Sequence, residues 1–135
     1  MAVTGDGNPE PRGALARTVV PPRFEVEVRG VGRSTVIVPA GELDHDTAPL
    51  LRERLDAVFG AAELPQTVIV DCGRLGFCDS TGLNVLLIAR QQAQQAGVDI
   101  RLSSLSGHVV RMFEITGAGG VFSIHPDLSD ALGAG

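Results

Sequence analysis

Residues 67–87 read TVIVDCGRLGFCDSTGLNVLL, and their pattern changes character at Asp79. Before it, Thr67, Val68, Ile69, Val70 and Asp71 form an apolar, β-branched run without alternation, as expected of a strand buried on both faces. Such a strand belongs in the middle of a sheet. After Asp79, Leu83, Val85, Leu86, Leu87 and Ile88 surround a helical path that runs over residues 80–96 and stops at Gly97. A helix apolar nearly all round in its first half must be buried there. Gly73 to Phe77 reads as the loop between them, and Asp79 and Ser80 fall where a side chain can cap the free amides of a first helical turn.

Outward from this stretch the chain alternates in type. Phe24, Val26 and Val28 interleave with Glu25, Glu27 and Arg29, the period of a strand with one wet face. A turn at residues 30–32 and the β-branched run 35–38 complete a predicted hairpin ending near Gly41. Leu50, Leu51, Leu55, Val58 and Phe59 recur at helical spacing, with Pro49 suited to the first turn and residues 44–47 offering capping side chains. Further on, residues 98–102 and 121–124 read as strands, 109–115 as a short helix stopped by Gly117, and the C-terminus as a weak helical turn. A hairpin followed by alternating helices and strands predicts an α/β fold with a mixed sheet. Residues 1–22, with Pro9, Pro11, Pro21 and Pro22 among glycines, are expected to be a leader outside the single domain of residues 23–133.

Composition narrows the function. A net charge of −5 without a basic run opposes the counterion-release attraction that drives nucleic-acid binding, so direct DNA or RNA contact is not expected. All 11 basic side chains are arginine, and the absence of lysine removes Schiff-base chemistry and the phosphate-binding lysine of a P-loop. No apolar run approaches the roughly 20 residues that cross a bilayer, and no secretory signal opens the chain, so a cytoplasmic, non-membrane protein is expected. Cys72 and Cys78 match neither a zinc site nor a Cys-x-x-Cys pair and read as buried reduced thiols. His45, His108 and His125 show no metal-binding interval, and no cofactor or metal is expected. Ser80 lacks the upstream glycine of a nucleophile elbow and any base that the sequence brings to it, which argues against a hydrolase. The acids of residues 41–47 suit the start of a helix.

Taken together, Gly41-Glu42-Leu43-Asp44 leaving one strand and Asp79-Ser80-Thr81-Gly82-Leu83 opening a helix after a buried strand resemble the STAS domain of bacterial anti-sigma factor antagonists. The resemblance covers about residues 24–132. It implies a STAS-like mixed sheet of about four to five strands with helices mainly on one face. It also implies a protein-binding module in place of an enzyme. On that reading Ser80 is phosphorylated by a partner that is both anti-sigma factor and serine kinase, with Thr81, where many relatives carry a second serine, as a minor site. The unphosphorylated form binds that partner and frees the sigma factor, and a PP2C-type phosphatase restores it. Asp79, Ser80, Thr81, Gly82, Asp44 and Glu42 are the expected partner-binding residues. The rival reading keeps the fold and makes the chain a docking subunit of a stress-signalling or transporter assembly.

Overall fold

A computed structural model describes residues 23–134; the leader expected over residues 1–22 lies outside them. The alternating segment and the β-branched run form β1 (Phe24–Val31) and β2 (Ser34–Leu43), paired antiparallel from Phe24 with Gly41 to Val31 with Ser34. Gly32, at φ +60°, takes the first central position of the turn, a conformation that glycine reaches without steric cost. Then come α1 (Ala48–Phe59), β3 (Thr67–Asp71), β4 (Arg74–Cys78), α2 (Ser80–Ala96), β5 (Asp99–Ser103), α3 (Gly107–Thr116), a 3₁₀ turn (Ala118–Gly120), β6 (Ser123–His125) and α4 (Leu128–Gly133). The sheet runs β1-β2-β3-β5-β6, which places the non-alternating β3 in its middle.

The sheet carries six strands, one more than the sequence pattern suggests, because residues 74–78 form β4 instead of a loop. β2 is shared: Ser34–Ile37 pair with β3, and Ala40–Leu43 pair with β4, both parallel. The register slips between Gly41 and Glu42, so that Leu75 opposes Gly41 while Phe77 opposes Glu42 and Gly76 is the extra residue. A bulge of this kind destroys period-two alternation, and burial falls on Leu75 and Cys78, three apart.

Burial explains the layering. Ile37, Val68, Val70 and Leu102 project to one face and meet Leu51 and Leu55 of α1 and Leu83, Leu86, Ala89 and Ala93 of α2. Val109 and Phe113 of α3 extend this core, with Phe122 tilted against Phe113 at 5.7 Å between ring centroids. Val36, Ile69 and Arg101 point the opposite way. There α4 is the cover: Ala131 is buried, and its carbonyl accepts a hydrogen bond from Arg101 Nη1 at 2.6 Å. Among the described residues no helix is long and apolar enough to cross a membrane.

Candidate functional site

Two chain segments leave the sheet side by side. Leu43, last in β2, is the register partner of Cys78, last in β4, and the Asp79 amide donates to the Leu43 carbonyl at 3.1 Å. The β2–α1 loop and the start of α2 therefore begin at one edge. Asp79 caps α2, its Oδ1 accepting the Gly82 amide at 3.0 Å. This occupies one of the orphan donors of the first turn and fixes the direction in which the helix sets out.

Ser80, the first residue of α2, is exposed, while Thr81 is half-buried and Gly82 and Leu83 are buried. Gly82 is required by packing: a Cβ there would stand 2.6 Å from Leu43 Cγ and 3.1 Å from Cys78 Sγ. The helix start is thus pressed onto the end of β2, with Ser80 turned outward. Desolvation and the charge of Asp79 push the Cys78 thiol up to about 11, and desolvation drives Cys72 higher still, so both remain neutral thiols.

The neighbouring loop is closed by its own side chains. Asp44 Oδ1 accepts the amides of Asp46 at 3.0 Å and Thr47 at 3.2 Å. The Thr47 hydroxyl donates to the Glu42 carbonyl at 2.7 Å and accepts the Asp44 amide at 2.9 Å. The sequence suggested that residues 44–47 cap α1. Thr47 does occupy the cap position, but its side chain faces back into the loop and makes no capping bond to the helix. Arg23 adds a tie across the sheet: its Nη2 donates to Asp44 Oδ2, and its Nε lies 3.6 Å from Glu42 Oε1. Burial alone would raise the Asp44 carboxyl. The Thr47 and Asp46 amides, the Arg23 guanidinium and the Thr47 hydroxyl together hold it below its ordinary value of 3.8.

The fold thus brings Glu42 and Asp44 to the same edge as Asp79, Ser80, Thr81 and Gly82. The histidines remain dispersed: His45 is exposed in the loop, His108 stacks on Phe77 at 5.5 Å, and His125 joins Asp130 at 2.8 Å and Ser123 at 2.9 Å on the far side of β5. Among the described residues no cluster of three or more His, Cys, Asp or Glu could hold a metal ion. Two participants escape sequence reasoning. Arg23 precedes β1 by one residue, and only the pairing of Phe24 with Gly41 carries it to the loop. Phe77 is seen beside Glu42 only once β4 is known to be a strand.

Comparison with known proteins gives the same picture. The sequence profile of the STAS domain matches residues 25–131. The anti-sigma-B factor antagonist of Bacillus subtilis (strain 168) is 33% identical over 85 residues, which are 63% of this chain and 75% of that protein. The crystal structure of an anti-sigma factor antagonist from Mycobacterium paratuberculosis superposes with a TM-score of 0.74 at 25% identity, covering 81% of this chain and 91% of the other. SpoIIAA in its unphosphorylated form superposes with a TM-score of 0.68 at 26% identity, covering 80% and 93%. The chain belongs to the STAS domain family, and the three similar proteins just described bear the name of anti-sigma factor antagonists.

Proposed function

We propose that this chain is itself an anti-sigma factor antagonist acting in the cytoplasm, one that works by binding and not by catalysis. Unphosphorylated, it docks an anti-sigma factor that is also a serine kinase, and the sigma factor is released. Phosphorylation of Ser80 abolishes docking, and a PP2C-type phosphatase reverses it. The surface is formed by Asp79, Ser80, Thr81 and Gly82 at the start of α2, with Glu42 and Asp44 from the adjoining loop.

The observation that carries the reading is the exposed Ser80 at the head of a helix that buries Gly82, Leu83, Val85 and Leu86 directly behind it, at one edge with Asp79 and Asp44. A phosphoserine adds about −1.5 to −2 charges where none stood. The helix dipole favours that charge by only about 0.3 to 1 kcal/mol. A carboxylate standing about 6 Å from it would oppose it by roughly 3 kcal/mol per unit charge at an effective dielectric near 20. Repulsion of that size outweighs the dipole, with the Arg23 guanidinium on Asp44 offsetting part of it, and excluding water on docking strengthens it. Structures of SpoIIAA are named for its unphosphorylated and its phosphorylated forms. Thr81, half-buried, is the weaker acceptor.

A pull-down with the immobilised chain, with and without ATP, tests this. The expected result is recovery of a small ATP-dependent kinase that is lost once ATP is supplied. Ser80→Ala retains that kinase in ATP, and Ser80→Asp binds it at least about tenfold more weakly. Equal binding by the two variants, or phosphate located elsewhere by mass spectrometry, defeats the reading.

A further inference from the structure

We infer that Arg23 is the positioning residue of the Ser80 surface: it holds the β2–α1 loop in its docking shape, so that Glu42 and Asp44 are fixed on the surface and the exposed Asp46 stands at its rim within a partner's reach. The inference rests on the reading of Ser80 as the switched residue and assigns a role within that site. Arg23 grips the loop twice. Its carbonyl accepts the Glu42 amide at 3.3 Å, and its guanidinium reaches both Asp44 and Glu42. The approach is so close that a Cβ on Gly41, which sits at φ +112°, would lie 2.1 Å from the Arg23 carbonyl oxygen. Glycine alone permits this crossing, and it occurs where the β2 register slips against β4.

The oxygens of Asp44 are already engaged. Oδ2 receives Arg23, and Oδ1 receives two amides and lies 3.2 Å from the Thr47 hydroxyl. A carboxylate so held meets a partner from a fixed position. Asp46 gives its amide to Asp44 and is exposed, as His45 is. The Arg23–Glu42 contact is exposed and adds little stability. Its effect is to select one loop conformation, and a guanidinium fork spans two carboxylates where an ammonium serves one.

Arg23→Gln and Arg23→Lys test the assignment by two readouts. In carboxyl-detected NMR, Arg23→Gln is expected to move the Asp44 titration up toward 3.8 and to speed exchange of the Asp46 and Thr47 amides, with Arg23→Lys between it and wild type. With the kinase captured on the immobilised wild-type chain, Arg23→Gln is expected to raise KM for phosphate transfer to Ser80 by about threefold at unchanged kcat. Asp46→Asn is expected to raise KM without moving the Asp44 titration. Wild-type titration and exchange in Arg23→Gln overturn the inference, as does a loosened loop with unchanged KM. If wild-type Ser80 accepts no phosphate, the functional reading fails, and the NMR arm alone decides whether Arg23 positions the loop.

Discussion

Asp44 illustrates how much a single side chain can be asked to do. Its pKa lies below 3.8 in the folded chain, so it adds stability wherever it is ionised in both states, above that ordinary value. The contribution is lost as pH falls through the lower folded value. We predict that wild type loses more stability than Asp44→Asn between about pH 5 and pH 2, read as the change in urea midpoint; parallel curves would show that the loop bonds are not formed in solution. The sequence displays the acids of this loop but not their partners, because Arg23 and Asp44 are brought together only by strand pairing. The thiols make a second residue-scale case. With Cys78 pushed up to about 11 and Cys72 higher, neither supplies thiolate at neutral pH, and both are buried. Iodoacetamide should leave both unmodified in the folded protein and label both in urea, as mass spectrometry would record. Prompt native labelling of Cys78 would mean that the start of α2 opens.

The element that matters most is α2, because its first turn is both a capped helix start and the docking edge we propose. Gly82→Ala should help an isolated helix by up to about 1 kcal/mol. Here the new Cβ would meet Leu43 Cγ at 2.6 Å, inside a contact where Leu43 is fully buried. The clash outweighs the propensity, and we predict a net loss of about 1 to 3 kcal/mol by urea denaturation. Wild-type stability in Gly82→Ala would show slack between α2 and β2. The bounds of α2 were legible in the sequence, since Asp79, Gly97 and the apolar first half are local signals. β4 was not. Gly73 and Gly76 look like loop residues, and the bulge at Gly76 offsets burial from the alternation that marks a strand. The edge position of Ser80 could be read from the strand-to-helix junction, whereas the aromatic stack of Phe77 on His108 depends on tertiary pairing that no local pattern announces.

Taken whole, the molecule separates what holds it from what it displays. Leu86 is 1% exposed between α2 and the sheet, and Leu86→Ala is predicted to cost about 2 to 5 kcal/mol while leaving the kinase affinity of the folded fraction unchanged. Ser80→Ala should do the opposite, sparing the thermal midpoint and removing phosphate acceptance. A Leu86→Ala protein that melts like wild type would contradict the assignment of the core. The layout also has a practical side. The tight Gly32–Arg33 reversal lies at the other end of the ten-residue β2, about 30 Å along the strand from the loop at Asp44. Short insertions at exposed tips of this kind are commonly tolerated. A dye or tether grafted there would leave the proposed docking surface unshaded, and the hairpin thereby becomes a handle for single-molecule tests of the proposed switch.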